Sequence, residues 1–192
     1  MRTKDEEKEK LILESALNII AKTGLAGLKM SDLAKEAKLA TGTVYIYFKD
    51  KDELVRKLYL YLMRTTTSDL SSGINTNDSV KSKIKKISHN YLLDNILKPQ
   101  KSVFFEQYFR SPFFHETQSV LTEEDQILQP IYQLVVEGQR QDIIKKANPD
   151  LLVTIVCGML ESVAKTAVYT ETSISDSEWE LIFGIVWDAI KS

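Results

Sequence analysis

The sequence has few of the residues that build disulfides, metal sites and turns. Its 192 residues include one cysteine, Cys157, and two histidines, His89 and His115. A single cysteine excludes an internal disulfide and a cysteine-rich metal cage, and two histidines argue against a histidine-rich metal site. Seven glycines and four prolines leave long stretches without an obvious break. We therefore predict no metal ion and no cofactor.

An excess of positive charge is also lacking. The chain has 25 Lys and Arg against 27 Asp and Glu, a formal net charge of −2. This balance excludes a globally basic protein that packages nucleic acid. Residues 1–60, however, hold 12 basic and 10 acidic side chains, whereas residues 61–192 hold 13 and 17. The first sixty residues are therefore the better candidate for contact with a polyanion.

Long hydrophobic runs are missing as well. The longest, 151–160, includes Thr154 and ends before Glu161, which is far short of the roughly 20 residues of a membrane span. The first seven residues are too charged for a signal peptide. We expect a cytoplasmic protein with Cys157 reduced and no membrane partner.

Apolar residues recur at helical spacing, and no alternating strand pattern is bounded by turns, so the sequence predicts an all-α protein. Gly24 is expected to end the first helix, Asp50 and Glu53 to cap the fourth, and Ser175 to open a capping box with Glu178. Pro130 should begin a new segment or kink its helix. The predicted helices are 5–23, 30–37, 41–48, one from about 50 that gives way to a loop in 65–79, 80–97, 99–110, 122–146, one from 148 and one from 175 to 190.

Two short helices, 30–37 and 41–48, are separated by three or four residues and follow a longer helix. This spacing is typical of a helix-turn-helix, in which the second helix enters the major groove of DNA. Spacing alone would also fit many small helical bundles.

The residues at those positions are more specific. The chain has Leu33-Ala34 in the second helix and Gly42-Thr43-Val44-Tyr45-Ile46-Tyr47-Phe48 in the third, followed by Lys51 and Leu54. Over about residues 8–60 it resembles the TetR/AcrR family of bacterial transcriptional regulators. The resemblance implies a three-helix DNA-binding domain with a helix-turn-helix in 1–50. It also implies a larger helical effector-binding and dimerisation domain in 51–192, which gives about nine helices in the whole chain.

Several residues of this segment suit contact with DNA. Gly42 lets the backbone approach closely, Thr41 and Thr43 suit base edges or phosphates, and the Tyr45 ring could pack on a thymine methyl group or a sugar. The resemblance implies phosphate contacts for Tyr47 and Lys51. Tyr45 could instead be a packing residue, and Lys29 and Lys38 could be simply solvated. The predicted DNA contacts are Lys29, Ser31, Lys38, Thr41, Gly42, Thr43, Tyr45, Tyr47 and Lys51.

Two positions depart from the family pattern. Lys38 stands where the family usually has glycine, and Ala40 stands where it usually has serine. The missing serine removes an N-cap of about 1 kcal/mol. Arg2, Lys4, Lys8 and Lys10 could contact DNA, but the acids between them favour a solvated helix face.

A helix-turn-helix reads one half-site, so a homodimer is expected. The resemblance implies that the last two helices form its interface. The alternative is that both apolar stripes are intramolecular core. The predicted interface residues are Leu152, Val156, Met159, Val163, Ala167, Trp179, Ile182, Phe183, Val186 and Ile190.

The middle of the chain is rich in aromatic residues, which could be core or could line a site for an apolar effector. The predicted pocket residues are His89, Phe104, Phe105, Tyr108, Phe109, Tyr132, Val136 and Met159. Gln107, His115, Gln133 and Glu137 are further polar candidates.

The sequence thus predicts a repressor that binds a palindromic operator as a homodimer and is released by a small apolar or aromatic effector. One alternative is a regulator of the same fold without a small-molecule effector. Others are a helical enzyme and a purely structural bundle. The sequence offers no glycine-rich phosphate loop, paired metal-ligand motif or nucleophile setting, so we predict that the protein is not an enzyme.

Overall fold

The structure, a computed structural model, describes residues 4–115 and 118–192. Within these residues it contains ten α-helices and no strand, apart from one isolated bridge between Ile144 and Lys191. The all-α prediction is therefore confirmed. The helices are α1 Lys4–Gly27, α2 Met30–Glu36, α3 Thr41–Tyr47, α4 Lys51–Leu70, α5 Val80–Leu97, α6 Pro99–Phe109, α7 Pro112–His115, α8 Gln118–Arg140, α9 Pro149–Thr170 and α10 Asp176–Ile190.

The described residues of Met1–Arg64 and Gln100–Glu124 form one compact unit. Its core begins with the apolar stripe of α1, where Ile12, Ala16 and Ile20 are fully buried. Leu33 and Ala34 of α2 and Val44 of α3 are buried as well. Periodic apolar residues on the long α1 and on the two short helices thus build a small core that holds α2 and α3 in place.

An interruption near the end of α1 is fixed by a long-range hydrogen bond. Gly24 has φ 76° and ψ 165°, so the regular helix stops there as predicted, although helical turns continue to Gly27. The backbone N–H of Leu25 donates to Oε1 of Gln107 on α6 at 2.6 Å. A Cβ at position 24 would lie 3.3 Å from that oxygen, so both the left-handed backbone and the space favour glycine.

Thr65–Pro99 and Asp125–Ser192 form the second unit. Its core lies among α5, α9 and α10, and includes Ile84, Leu92, Leu160, Phe183 and Trp187. Asn148 caps α9 ahead of Pro149, and Ser175 forms the expected capping box with Glu178 on α10. Local capping chemistry therefore predicts both helix starts correctly.

α4 ends at Leu70, within the segment 65–79 where the end of this helix and a loop are expected. Two details differ from the sequence prediction. Pro112 begins a short helix, α7, which the predicted helices do not include. Pro130 lies inside α8, which runs on to Arg140. Pro130 is exposed to solvent. Water can therefore form a hydrogen bond to the backbone carbonyl that loses its helical N–H partner, and the helix tolerates the proline.

α9 has 22 residues and extends well beyond the hydrophobic run 151–160 that was singled out in the sequence. By length and composition alone its 22 residues could cross a membrane. Only 22% of its most apolar 18-residue window is buried within the described chain. Much of the apolar surface of α9 is therefore left for something else to cover.

Candidate nucleic-acid interface

The orientation of α3 follows from two side chains that anchor it. Val44 and Phe48 are completely buried against the core of the first unit. Because successive helix residues are about 100° apart, these anchors direct the opposite side of α3 toward solvent. Thr41, Gly42 and Tyr45 are exposed, and Thr43 is partly exposed. These four residues of α3, all predicted to contact DNA, are thus accessible to solvent, and Gly42 lies most nearly opposite the buried Val44.

The turn between α2 and α3 is closed by backbone hydrogen bonds. The N–H of Leu39 donates to the carbonyl of Ala34 at 2.9 Å, and that of Lys38 donates to Lys35 at 3.1 Å. This pair of bonds is a Schellman motif, which requires a left-handed residue after the helix. Lys38 holds that position with φ 54°. The chain therefore keeps the turn geometry with lysine where glycine would be unstrained.

The start of α3 lacks a side-chain cap, as the sequence indicates. Ala40 is its N-cap residue and has the extended backbone of a cap, but makes no side-chain hydrogen bond. The first N–H groups of α3 are consequently free of a side-chain acceptor from the cap residue. Such N–H groups are suited to a phosphate oxygen.

Three lysines in the segments that flank α2 and α3 in the sequence have no ion-pair partner among the described residues. Lys29 precedes α2, Lys38 lies in the turn and Lys51 is the first residue of α4. Among the residues that the structure describes, none of these three has an ion-pair partner, whereas Lys35 pairs with Asp32 at 3.4 Å. Positive charge without an internal partner is available to an external anion.

The N-terminus of α4 is built by the predicted acidic cap. Oδ1 of Asp50 accepts from the N–H of Glu53 at 2.8 Å, and Oε2 of Glu53 accepts from the N–H of Lys49 at 2.7 Å. The two bonds fix the backbone at Lys51. The Lys51 side chain therefore extends from a backbone whose position is fixed by these hydrogen bonds.

In the protein without DNA, the hydroxyl group of Tyr47 already makes a hydrogen bond to another residue. Its hydroxyl donates to Oδ1 of Asp5 on α1 at 3.0 Å. Burial and the nearby carboxylates of Asp5 and Glu9 raise the pKa of Tyr47, so it remains a neutral donor. A phosphate contact by Tyr47 would therefore require an exchange of partner.

For the N-terminal basic residues the sequence favours a solvated helix face over contact with DNA. Lys10 pairs with Glu14 on the same helix at 3.5 Å. Arg2 and the side chain of Lys4 lie outside the described residues.

Six of the ten residues of the predicted dimer stripe lie on the inward face of α9 and α10, so the prediction is wrong for these six. Four members touch the core while partly buried: Val156, Met159, Val163 and Ile182. The other six are buried in the single chain: Leu152, Ala167, Trp179, Phe183, Val186 and Ile190. Both helices are apolar on more than one side, and the side with the tryptophan and phenylalanine buries more area by packing inward.

A second apolar face of these helices remains exposed. On α9 it comprises Leu151, Ile155, Gly158, Ser162 and Tyr169, and on α10 it comprises Leu181, Gly184 and Ile185. A Cβ added at Gly158 or Gly184 would meet nothing within 4 Å. We call these eight residues the outer α9–α10 face.

The predicted effector residues divide between the two units. Phe104, Phe105, Tyr108 and Phe109 form an aromatic cluster with Tyr59, in which the Tyr59 and Tyr108 rings stack at 4.3 Å. Phe104 and Tyr108 are almost completely buried. In the first unit, therefore, Phe104 and Tyr108 are core, whereas Phe105 is partly buried and Phe109 remains 44% exposed.

The remaining candidates belong to the second unit. The His89 ring packs on Trp179 with 4.8 Å between the ring centroids. Burial lowers the pKa of His89, and the nearby positive charge of Lys86 lowers it further. Tyr132 donates to Asp150 at 3.0 Å, and Val136 and Met159 are partly buried. Gln133 and Glu137 are exposed, Gln107 binds Leu25, and the side chain of His115 lies outside the described residues.

A groove of about 520 Å³ lies in the first unit at the ends of α1 and α6. None of the eight predicted effector residues lines it. Its lining comprises Leu25, Ala26, Lys51, Val103, Glu106, Gln107, Arg110, Ser111, Pro112 and Phe113.

Comparison with known proteins identifies both parts of the chain. Residues 12–58 match the family described as "Bacterial regulatory proteins, tetR family", and residues 80–191 match that described as "Tetracyclin repressor-like, C-terminal domain". The chain is 27% identical over 169 residues to the "Uncharacterized HTH-type transcriptional regulator YuxN" of Bacillus subtilis. The match covers 88% of this chain but only 56% of that relative, so the chain spans about half of its length.

Solved structures have the same fold. A TetR family transcription regulator from Marinobacter aquaeolei VT8 superposes with a TM-score of 0.90 at 20% identity over 100% of both chains. The transcriptional regulator FadR from Bacillus subtilis, in complex with stearoyl-CoA, has a TM-score of 0.69 at 18% identity. That match covers 93% of this chain and 95% of FadR.

Proposed function

Since this chain belongs to the TetR family of bacterial regulatory proteins and carries that family's DNA-binding helix-turn-helix, we propose that it is a repressor that binds a palindromic operator as a homodimer. Members of the family are DNA-binding transcription factors and not enzymes. In this proposal, residues 1–50 bind DNA in the cytoplasm. Residues 51–192 dimerise and respond to a small molecule.

The exposed side of α3, in a segment that also carries three unpaired lysines, is the observation that supports the proposal. Thr41, Gly42, Thr43 and Tyr45 face the major groove, where hydroxyl groups and an aromatic ring can meet base edges. Lys29, Ser31, Lys38 and Lys51 bind the flanking phosphates. Tyr47 joins them when its hydroxyl leaves Asp5.

The outer α9–α10 face is the proposed dimer interface. Tyr169 is 89% exposed and Leu181 is 66% exposed, although apolar surface of this extent is normally covered. Gly158 and Gly184 leave room for the helices of a second copy to approach closely. Two copies joined here would present two copies of α3, as a palindromic site requires. Dimerisation also accounts for the uncovered apolar surface of α9 without a membrane.

A small apolar or aromatic effector is proposed to release the operator. The hydrogen bond between Gln107 and Leu25 ties α6 to α1 within the first unit, so a shift of α6 would reach the DNA-binding helices. A coupling of about 1–3 kcal/mol between effector and operator would weaken binding roughly 5- to 150-fold. The FadR structure with stearoyl-CoA supports an effector with a large apolar part for this fold.

The packed aromatic cluster favours a second candidate, a regulator of the same fold that has no small-molecule effector. In that case a protein partner or the abundance of the repressor would control the operator. Screening of acyl-CoA, fatty-acid and aromatic compounds for release of bound operator separates the two. Release at a saturable concentration supports the effector, and its absence across the panel favours the second candidate.

Selection of binding sites from a random DNA pool tests the main proposal. The expected result is an enriched palindrome, bound by two chains, with an affinity that falls steeply as the salt concentration rises. A double variant, Lys29→Ala with Lys51→Ala, should reduce the salt slope by about one for each lost phosphate contact in each half-site. Failure to enrich any sequence, together with weak binding at low salt, would contradict the proposal.

A further inference from the structure

The most outward residue of α3 is one that sequence reasoning did not single out. At about 100° per residue, Gly42 and Ile46 lie on the opposite side of the helix from the buried Val44. Ile46 is 80% exposed, compared with 51% for Tyr45. A helical wheel of the sequence, anchored on Val44 and Phe48, would have found it.

Exposure of one isoleucine is not unusual by itself, but its surroundings here are specific. Ile46 lies at the middle of the outward side, one turn beyond Gly42, whose missing Cβ leaves open space. Thr43 and Tyr45 flank it on the same seven-residue helix. The unpaired lysines lie in the segments before and after α3. Ile46 is therefore an exposed apolar side chain among polar neighbours on α3, and the chain segments on either side of this helix carry unpaired positive charge.

The chemistry of Ile46 restricts what it can recognise on DNA. Its side chain has no hydrogen-bond donor or acceptor, so it cannot satisfy the polar edges of guanine, cytosine or adenine. The 5-methyl group of thymine is the apolar group that a base pair presents in the major groove. An isoleucine held at the floor of that groove therefore favours thymine over the other bases.

We propose that Ile46 is a specificity-determining residue that covers the 5-methyl group of one thymine in each half-site of the operator. This assignment rests on the proposed DNA-binding function and names part of its sequence specificity. It is separate from any contact of the Tyr45 ring, which lies about 100° away around the helix.

The test replaces thymine by deoxyuridine, which keeps every hydrogen-bonding group and removes only the methyl group. Each thymine of the enriched palindrome is replaced in turn, symmetrically in both half-sites, and the affinity of the full-length protein is measured. At one thymine, wild-type affinity should fall about four-fold per half-site, or roughly fifteen-fold for the pair. Ile46→Ala should bind the thymine duplex correspondingly less well and show no deoxyuridine penalty there.

Three further variants define the result. Ile46→Val keeps a branched apolar side chain and should retain most of the deoxyuridine penalty. Tyr45→Ala should bind the operator more weakly but should keep the deoxyuridine penalty at the thymine assigned to Ile46. Leu97→Ala removes a similarly exposed apolar side chain of α5 and should change nothing. Because Ile46 is exposed, its variants should melt like the wild type, which circular dichroism can check.

The assignment is overturned if the enriched half-site contains no thymine, or if deoxyuridine weakens wild-type binding nowhere. It is also overturned if Ile46→Ala keeps the wild-type profile, since Ile46 would then lie outside the interface. Disappearance of the penalty in Tyr45→Ala alone would assign the methyl contact to Tyr45. A complete lack of specific DNA binding would instead refute the proposed function itself, and this assignment with it.

Discussion

Gly42 lies inside α3, where alanine would give a more stable helix. Nothing in the described chain lies within 4 Å of a Cβ built there, so the fold does not require glycine. We predict that Gly42→Ala stabilises the free protein by up to about 1 kcal/mol and weakens operator binding several-fold, because the new methyl group faces the duplex. Urea unfolding and DNA titration measure the two effects. Unchanged operator affinity would show that the α3 backbone does not approach DNA closely.

Lys38 combines backbone strain with a charge that is available for phosphate binding. Its φ of 54° is unfavourable for a residue with a Cβ. Lys38→Gly should therefore raise the free energy of unfolding by about 1 kcal/mol and weaken DNA binding at low salt. Thermal and urea denaturation, with binding at several salt concentrations, provide the measurement.

Lys38→Ala is the matched control, because it removes the charge but keeps the strain. It should weaken DNA binding as much as Lys38→Gly without the gain in stability. Equal stability of the two variants would mean that the left-handed backbone at this position costs nothing.

At the scale of the elements, α1 and α6 are joined by the bond from the Leu25 N–H to Gln107. Gln107→Leu keeps the approximate side-chain size but leaves a partly buried N–H without its acceptor. We expect a loss of about 1 kcal/mol of stability and faster hydrogen exchange at the Leu25 amide. Urea unfolding and amide exchange would detect these changes.

Gln107→Glu is the control for this bond, since it keeps an acceptor oxygen at the same reach. It should retain most of the stability and the protection of the Leu25 amide. If Gln107→Leu is as stable as the wild type, the break in α1 is held by packing alone.

At the scale of the whole molecule, the outer α9–α10 face determines the expected assembly. Leu181→Arg places a charge at the centre of the proposed interface and should convert the dimer to monomers of 21.9 kDa. Its affinity for the palindrome should fall, because one half-site is then bound at a time. Sedimentation equilibrium and DNA titration would report both changes.

Leu97→Arg makes the same substitution at an exposed leucine of α5 outside the proposed interface. It should leave the dimer intact. A wild-type protein that sediments as a monomer at micromolar concentration and still binds the palindrome tightly would contradict the assignment of this face.

The helix-turn-helix could be predicted from the sequence because its signals are local. Helix ends at Gly24, Asp50 and Ser175 depend on caps a few residues away, and all three were correctly predicted. The buried Val44 and Phe48 then define which side of α3 faces outward. Pro130 does not begin a new segment, one of the two outcomes predicted for it, because α8 continues past it where solvent can satisfy the freed carbonyl.

Which apolar face of α9 and α10 is buried was decided only by the tertiary structure. Periodicity shows that Phe183 and Leu181 lie on different sides of α10, but both sides are apolar. Packing against α5 selects the side with Trp179 and Phe183, because larger side chains bury more area, and leaves Leu181 outside. Tyr108 of α6 likewise became core by stacking on Tyr59, which is far away in the sequence. Such choices depend on contacts between distant segments, whereas caps and turns are determined within a few residues of the chain.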